Sequence, residues 1–493
     1  MAMPAESMDD STAAYPPRSI YRDLIRRVAV SGTQIRSTLF SHSQSGHGGY
    51  SYSSNSGASN SYPSNNSGCS SANSALSAAA ADFGTHELKT IASQMVSDGY
   101  TQRMVQAFEY GGDLDGAMEN RFSELHVAPP EPALVDPVLE SWFFELDLAW
   151  VLQIGQEHGS EWQLRIQDNS GSSLQDLVQR WIRGLTITVH SITELLSVRH
   201  EMTSVTQFGK ASILKMLVFV DAIVPDFKPE NLRTVLDLYI CVRKAMENSK
   251  ERPELLDLSL IPTLSAYVQI LQGAVSSTME KVKTRIEEDD DSWAIDIMQG
   301  GGEVHRNTRW IVDCIVSLDE AHLGGSLSDM VHYLKDLLLR KSKLCSDLSL
   351  RYLFLLNNLY FVAEKMNQCK PKYAWKFELG CENYKDRYLN VSWEHVVSCI
   401  PKPHVPGPLH YCWINTSSLV KFESAFHKMY QVQKFWKVPD PRLRYFLRIE
   451  ITERVVSSYF DFLTEHPELA AHVRRTNNTP DVLEEMLGQL FEG

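Results

Sequence analysis

Cations near the C-terminus are the residues of this sequence that are best suited to binding a partner. Residues 421–454 hold eight Lys and Arg side chains against four Asp and Glu side chains, although the whole chain has a net charge of −14. A local excess of positive charge in an acidic protein attracts anionic partners, such as an acidic protein surface or a lipid headgroup. Ordinary helices that expose cations to solvent give the same pattern, so both interpretations stay open.

Signatures of catalysis or nucleotide binding do not occur in this sequence. It contains no GxxxxGK[ST] phosphate-binding loop and no GxGxxG, HExxH or GxSxG motif. His190, His305 and His332 lie on helical apolar stripes, where a structural imidazole is the favoured interpretation. The eight cysteines are dispersed without a CxxC pair, which is typical of reduced thiols and not of a zinc site. We therefore predict a protein that is not an enzyme and holds no cofactor or metal.

Charge and hydropathy argue against two further classes of protein. The net charge of −14, and the acids mixed among the cations of residues 421–454, argue against nucleic-acid binding. No segment approaches the roughly 20 consecutive apolar residues of a membrane-spanning helix, and the N-terminus has no apolar signal-peptide core. These observations leave the cytosol or the nucleus, and the predicted location is cytoplasmic. Its charge is polarised, because residues 1–300 have a net charge of −15 and residues 301–493 of +1.

The elements that must position these residues are helices. Apolar residues recur at helical spacing, as in the stripe through Leu174, Val178, Trp181 and Leu185, and a further stripe runs from Leu139 to Ile154. The Trp and Tyr residues fall on such stripes and are assigned to the core. Alternating β-branched runs with hairpin turns are nearly absent, so the predicted fold class is all-α. Between stripes, we predict a solvated acidic loop at residues 287–291 and a rigid proline-rich connector at residues 401–408.

Composition divides the N-terminal part of the chain. Residues 37–84 are rich in Ser, Gly and Asn and are predicted to form a disordered linker, because such a tract buries too little apolar area to offset its ordering entropy. The preceding segment, residues 1–36, carries apolar and basic residues between Ile20 and Val30, consistent with either a short amphipathic helix or an unstructured terminus. Residues 85–493 are expected to form the helical part.

Several segments together resemble those of a known family. They are Ile91–Tyr100, Leu139–Phe143, Trp181–Arg183, Val304–Trp310, Leu353–Val362 and Leu483–Gly493. In order and spacing they are similar to segments of the plant seventy-kilodalton exocyst subunit family, also called exocyst complex component seven. The Ser-rich tract and the short N-terminus resemble a diverged, N-terminally shortened branch of the grass type.

This resemblance implies an elongated rod of consecutive helical bundles over residues 85–493. It also implies a subunit of the exocyst, the complex that tethers secretory vesicles to the plasma membrane in exocytosis. The implied location is peripheral at the plasma membrane, and the implied partners are other exocyst subunits, acidic phosphoinositide membranes and Rho-type GTPases.

The family's C-terminal basic residues contact phosphoinositides, and the resemblance carries this role to residues 471–481, where two cations remain. A site of two charges binds weakly, since each cation near an anionic leaflet contributes about 1 kcal/mol. We therefore add four cations from residues 421–454. The predicted lipid-binding residues are Arg474, Arg475, Lys434, Lys437, Arg442 and Arg444.

One departure from the family leaves an alternative function open. Family members have a longer N-terminal helical region, including a coiled-coil helix that pairs with other exocyst subunits. Only about 85 residues precede the resemblance here, so we expect this helix to be absent. The alternative is a diverged adaptor or decoy outside the exocyst that contacts immune-related proteins in plant defence or autophagy.

Overall fold

The computed structural model describes residues 20–30, 32–33, 35, 83–119, 136–154, 171–198, 202–251, 260–369, 371–400 and 411–492. Over these ranges the regular structure is seventeen α-helices with short 3-10 turns, one isolated antiparallel bridge and no strand, which confirms the all-α prediction. No helix in this part of the chain is long and apolar enough to cross a membrane, and no group of three or more His, Cys, Asp or Glu there could hold a metal ion. The predicted connector at residues 401–408 and nearly all of the predicted linker lie outside the described residues.

The chain divides into two compact units, which are described in turn. The first contains residues 80–282 together with the N-terminal segment up to residue 34, and the second contains residues 283–493. The helices of the first unit are α1 (Ile20–Arg27), α2 (Thr85–Ser97), α3 (Tyr100–Glu119), α4 (Pro137–Glu145), α5 (Gly171–Val198), α6 (Met202–Ile223), α7 (Leu232–Glu251) and most of α8 (Leu260–Glu287).

Helix α5 forms the centre of the first unit because it packs against α2, α6 and α7. Its stripe of Val178, Trp181 and Leu185 is fully buried, as the helical spacing predicts. The indole Nε1 of Trp181 donates a hydrogen bond to the carbonyl oxygen of Met216 over 2.9 Å, so this buried polar group is satisfied. The core therefore joins α5 to α6 through apolar packing and one polar contact.

The N-terminal segment is anchored to the first unit by carboxylates. The carboxylate of Asp147 contacts the guanidinium groups of Arg22, Arg26 and Arg180 at 3.2, 2.7 and 2.8 Å. Further along, the backbone N–H of Thr33 donates to the buried carboxylate of Asp237 over 2.8 Å. These contacts attach α1 and the residues after it to elements that lie more than a hundred residues further along the chain.

The prediction of one continuous helix over the stripe from Leu139 to Ile154 is wrong. The stripe from Leu139 to Ile154 is interrupted, because α4 ends at Glu145 and a 3-10 helix occupies Ala149–Gln153. Asp147 lies between them with φ of +63°, a left-handed conformation that no α-helix continues through. The interruption turns the carboxylate of Asp147 toward its three arginines.

The acidic loop predicted at residues 287–291 is present but is shorter than predicted. Helix α8 extends to Glu287 and the next helix begins at Asp290, so only two residues separate them. The acids are paired and not merely solvated, since Glu287 contacts Arg340 and Asp290 contacts Lys341. The sequence around residues 287–291 does not reveal these ion pairs, because Arg340 and Lys341 belong to a helix more than fifty residues further along the chain.

The second unit begins with the last turn of α8. Its other helices are α9 (Asp290–Gln299), α10 (Arg306–Glu320), α11 (Gly324–Lys341), α12 (Leu348–Cys369), α13 (Pro371–Val397), α14 (Tyr411–Gln433), α15 (Pro441–Glu465), α16 (Ala470–Thr476) and α17 (Pro480–Gly488).

Large aromatic residues hold α13, α14 and α15 together in the second unit. The buried hydroxyl of Tyr388 donates to Gln433 Oε1 over 2.6 Å, which joins α13 to the end of α14. Phe422 of α14 stacks on Tyr459 of α15 with ring centroids 4.6 Å apart. Because both contacts are buried, the connection between α14 and α15 is fixed by the core beneath it.

Candidate functional site

Four of the six predicted cations lie at the connection between α14 and α15. Lys434 directly follows α14, Lys437 lies within the connection, and Arg442 and Arg444 lie at the start of α15. Arg442 is exposed and the other three are half-buried. These four residues are called the basic turn below.

The shape of the basic turn is set by hydrogen bonds to its backbone. The carboxylate of Asp440 caps α15 by accepting from the N–H groups of Arg442 and Leu443 at 2.9 and 3.0 Å, and Pro441 occupies the first helical position. The N–H of Lys437 donates to the carbonyl oxygen of Gly301 over 2.9 Å. The backbone of the turn is therefore held by Asp440 and by Gly301, and its conformation does not depend on the four cationic side chains.

The loop that supports Lys437 requires glycine. Gly301 has φ of +60°, and a Cβ at this position would lie 2.9 Å from the carbonyl oxygen of Phe435 and 3.1 Å from the Cα of Trp436. A side chain would therefore push the basic turn away from the loop. The Gly300-Gly301-Gly302 sequence connects two helices and also positions the basic turn.

The cations of residues 421–454 are not equally available to a partner. Arg448 pairs with Glu492 at 3.0 Å, and this hydrogen bond lowers the pKa of the Glu492 carboxyl, with a smaller contribution from the charge of Arg444. Arg454 lies 4.0 Å from Glu450. Within the described part of the chain, no basic-turn residue lies within ion-pair distance of a carboxylate. Of the six cations that remain, four lie at the basic turn, and Lys421 and Lys428 are exposed on α14.

Exposed aromatic side chains lie beside these cations. Phe435, Tyr445 and Phe446 are 66%, 61% and 58% exposed, respectively. The Lys434 Nζ lies 4.8 Å from the centroid of the Phe435 ring, and the rings of Tyr445 and Phe446 are 5.9 Å apart. Aromatic side chains normally bury most of their surface, so three exposed ones together indicate an interaction surface.

The assignment of the Trp and Tyr residues to the core is wrong for Tyr445. The buried stripe of α15 runs through Leu443, Leu447 and Ile451, at intervals of four residues. Tyr445 and Phe446 fall between these positions and so lie on the opposite face. This signal was present in the sequence, because the phase of the stripe distinguishes the two faces of the helix.

The other two predicted cations lie elsewhere on the second unit. Arg474 and Arg475 are exposed on the short helix α16, which is held to α14 by a hydrogen bond of 3.1 Å from Thr476 Oγ1 to Glu423 Oε1. Glu423 precedes Lys434 by eleven residues, about 16 Å along the helix axis. The structure therefore separates the predicted site into the basic turn and an α16 pair, and the six residues do not form one cluster.

Comparison with known proteins gives a consistent set of relatives. The family model for the C-terminal part of the Exo70 exocyst complex subunit matches residues 316–489, from α10 to the end of α17. Exocyst complex component EXO70A1 of Arabidopsis thaliana is 22% identical over 329 residues, which cover 57% of this chain and 50% of that protein. Component EXO70E2 of the same plant is 24% identical over 333 residues, covering 58% of this chain and 49% of the relative. The chain spans about half the length, or less, of such relatives.

Solved structures of the yeast protein are also similar to this chain. The crystal structure of the S. cerevisiae exocyst component Exo70p shares 15% identity, with coverage of 83% of this chain and 98% of that chain and a TM-score of 0.40. A second structure, S. cerevisiae Exo70 with additional residues, shares 13% identity over 83% and 86% of the two chains, with a TM-score of 0.38. The C-terminal family match and the sequence relatives agree: over residues 316–489 this chain is similar to the Exo70 exocyst complex subunits.

Proposed function

We propose that this chain is an exocyst-type subunit that helps tether secretory vesicles to the plasma membrane and binds phosphoinositides through its C-terminal cations. The observation behind this proposal is the position of the basic turn, where four cations without carboxylate partners among the described residues lie beside three exposed aromatic rings. A membrane surface offers both anionic headgroups and an interface that accepts aromatic rings, so it matches both features of this surface.

The energies are sufficient for reversible attachment to a membrane. Each cation near an anionic leaflet contributes about 1 kcal/mol, so the basic turn alone would supply about 4 kcal/mol. Exposed Phe and Tyr rings that enter the interface add binding that does not depend on charge. Because the backbone of the turn is already fixed by Asp440 and Gly301, little ordering entropy opposes binding.

Arg474 and Arg475 provide a second, smaller contact in this proposal. Both are exposed and lie on the same unit, but two charges contribute only about 2 kcal/mol. Two separated contacts would restrict the angle at which the second unit meets the membrane. The α16 pair is therefore assigned to orientation and the basic turn to affinity.

Flotation of the full chain with vesicles tests this proposal. The vesicles contain phosphatidylcholine with or without a phosphoinositide, and the variant replaces Lys434, Lys437, Arg442, Arg444, Arg474 and Arg475 by Ala. We expect the wild type to float only with phosphoinositide vesicles and the variant to remain at the bottom of the gradient. Unchanged flotation of a folded variant would overturn the lipid-binding assignment.

The proposed partners follow from the family. The relatives are components of the exocyst complex by name, and we assign other exocyst subunits as partners of this chain, with Rho-type GTPases as further ligands. Affinity purification from plant tissue tests the first assignment. Recovery of the other exocyst subunits in near-stoichiometric amounts is expected, and their absence would remove the tethering role.

A second candidate function is an adaptor outside the exocyst that binds immune-related or autophagy proteins. It is supported by an apolar groove of about 240 Å³ between α11 and α13, where Trp375 and Leu379 are 57% and 69% exposed beside Lys335. In this case the purification would recover few exocyst subunits, and Trp375→Ala would remove the proteins that are recovered. An unchanged set of proteins with Trp375→Ala would exclude this groove as the adaptor surface.

A further inference from the structure

A cavity of about 400 Å³ lies within the first unit, between α2, α5 and α7. Its apolar wall includes Phe83, Leu185 and Val189, and its volume falls in the range of small-molecule pockets. Its polar lining consists of Lys89, Lys244, His190, Asn248, Thr85, Thr186 and the Cys241 thiol. Among the described residues that line the cavity there is no Asp or Glu, although residues 1–300 have a net charge of −15. The cavity is therefore cationic inside the acidic part of the molecule.

The two lysines are at the mouth of the cavity and one of them is held in place. Both are exposed, and the Nζ of Lys244 lies 4.8 Å from the centroid of the buried Phe83 ring. This cation–π contact keeps the ammonium over the cavity wall and restricts its motion into solvent. Lys89, one turn into α2, also lines the cavity, so the two lysines reach it from different helices.

The start of α2 adds positive potential. Thr85 is the first residue of this 13-residue helix and also lines the cavity, and the helix begins at Gly84 without a side-chain cap. The first N–H groups of a helix favour an anion because they are not bonded within the helix. The cavity therefore offers two ammonium groups and a helix start to the same ligand.

The environment of His190 supports this electrostatic description. Burial, with a smaller contribution from the charge of Lys89, lowers the pKa of this imidazole to about 4. At neutral pH the ring is uncharged and offers one donor and one acceptor. Two carboxylates on the helices that line the cavity are engaged elsewhere, since Asp237 of α7 accepts from Thr33 and Glu194 of α5 accepts from Ser93.

We propose that this cavity binds a phosphate monoester whose organic part is apolar. Two lysines and a helix start match the double negative charge of a phosphate monoester, whereas a carboxylate would neutralise only one lysine. The apolar wall would contact the organic part, and Asn248 and Thr186 would bind phosphate oxygens or ester substituents. The phosphate could belong to a soluble metabolite or to a lipid headgroup, because the chemistry that the cavity recognises is the same.

Calorimetric titration of the full chain with phenyl phosphate, phenol and inorganic phosphate tests this proposal. We expect saturable binding of one phenyl phosphate, weaker binding of inorganic phosphate and none of phenol. Lys89→Gln and Lys244→Gln should each weaken phenyl phosphate at least about tenfold, because each removes a charge-assisted contact. Lys215→Gln on α6, outside the cavity, should bind as the wild type does. No saturable binding, or equal affinity in the Lys89→Gln/Lys244→Gln variant, would overturn the proposal.

A second measurement follows binding in the unmodified protein and needs a variant only to assign one resonance. Phenyl phosphate should shift the Cε1–H resonance of His190 in a histidine-labelled sample and raise its pKa, because a bound anion offsets the effect of Lys89. The resonance is assigned with His190→Gln. A His190 resonance that does not change at saturating ligand would contradict binding in this cavity.

Vesicle flotation of the double lysine variant distinguishes the two sources of phosphate. Flotation equal to the wild type with retained loss of phenyl phosphate binding identifies a soluble ligand, and reduced flotation identifies a lipid headgroup. Failure of the basic turn to bind lipid would leave the calorimetric result unchanged, since the two sites lie in different units. The two proposals can therefore fail independently.

Discussion

The side-chain amide of Asn357 donates a hydrogen bond to the carbonyl oxygen of Lys437 over 2.9 Å. The same Nδ2 donates to the carbonyl oxygen of Gly302 over 2.7 Å. Asn357 is 3% exposed and lies on α12, eighty residues before Lys437. One buried side chain thus connects the loop of Gly300, Gly301 and Gly302 to the backbone of the basic turn.

Replacing Asn357 by Leu should destabilise the second unit by about 2–4 kcal/mol, because both carbonyl groups lose a buried donor. Urea denaturation followed by tryptophan fluorescence measures this change. The control is Asn383→Leu, since Asn383 is exposed on α13 and should change the free energy of unfolding by less than about 0.5 kcal/mol. Equal effects of the two substitutions would show that the contacts of Asn357 are not what stabilises the turn.

The helices of this protein could largely be predicted from sequence because buried stripes such as Val178, Trp181 and Leu185 report the packing directly. The predictions fail where a single residue interrupts an apolar stripe, or where the partner in an ion pair lies far away in the sequence. Asp147 ends one predicted helix by adopting a left-handed conformation that has no apolar signature. The ion pairs of Glu287 and Asp290 depend on residues from α11, which no local pattern identifies.

The residue types of the candidate site could be predicted from the sequence, but their arrangement in space could not. The excess of cations in residues 421–454 is visible in the sequence, yet pairing with Glu492 and Glu450 decides which cations remain available. The separation of Arg474 and Arg475 from the basic turn follows from the docking of α16 beside Glu423, a tertiary contact. The exposed faces of Tyr445 and Phe446 could have been predicted, because the phase of the α15 stripe was available.

The separation of the two cationic groups predicts unequal effects on lipid binding. Replacing Lys434, Lys437, Arg442 and Arg444 by Ala should weaken partitioning onto phosphoinositide vesicles far more than Arg474→Ala with Arg475→Ala, which should weaken it only about thirtyfold. The control replaces Lys335, Lys343, Lys372 and Lys376 by Ala, which removes the same charge elsewhere on the second unit. If this control loses as much binding as the basic-turn variant, net charge and not position determines the affinity.

The aromatic residues should contribute binding that salt does not screen. Tyr445→Ala with Phe446→Ala should lower vesicle partitioning by a similar factor at about 0.05 and about 0.3 M NaCl, because burial of a ring in the interface is not electrostatic. The loss of vesicle partitioning caused by the four-alanine variant of the basic turn should instead become smaller as the salt concentration rises. Trp375→Ala, an exposed aromatic on α13, serves as the control and should have no effect. A loss for Tyr445→Ala with Phe446→Ala that disappears at high salt would contradict membrane insertion of these rings.

The arginines around Asp147 predict how firmly α1 is held. Burial alone would raise the pKa of this carboxyl, but its contacts with Arg26, Arg180 and Arg22 lower it overall. Asp147→Asn keeps the side-chain shape and tolerates the left-handed backbone, but it removes the charge and should cost about 1–3 kcal/mol. Amide hydrogen exchange should accelerate in α1 and stay unchanged in α15. Asp226→Asn, at an exposed position of the same unit, is the control, and unchanged exchange in α1 with Asp147→Asn would show that these ion pairs do not anchor it.

The stability of the second unit should depend on the protonation of His305. This imidazole is stacked on Trp293 with ring centroids 3.6 Å apart, and its Nδ1 accepts from the backbone N–H of Asn307 at the start of α10. Burial, with smaller contributions from the charges of Arg306 and Lys341, lowers its pKa from 6.5 to about 3, although the carboxylate of Asp296 lies 3.2 Å from its Nε2. Between these pH values the unfolded chain binds a proton that the folded protein does not, so stability is complete above pH 6.5 and falls as the pH decreases toward 3.

Thermal unfolding of the full chain between about pH 5 and 7 measures this dependence, since the ordinary pKa of histidine lies in this interval. His305→Asn retains a residue that can cap a helix but does not titrate, so its Tm should be lower at about pH 7 and vary less with pH than that of the wild type. His332→Asn, at an exposed position on α11, should leave the pH dependence unchanged. If His305→Asn keeps the full slope of the wild type, protonation of this imidazole does not limit stability in acid, and the capping contact at Asn307 does not require a neutral ring.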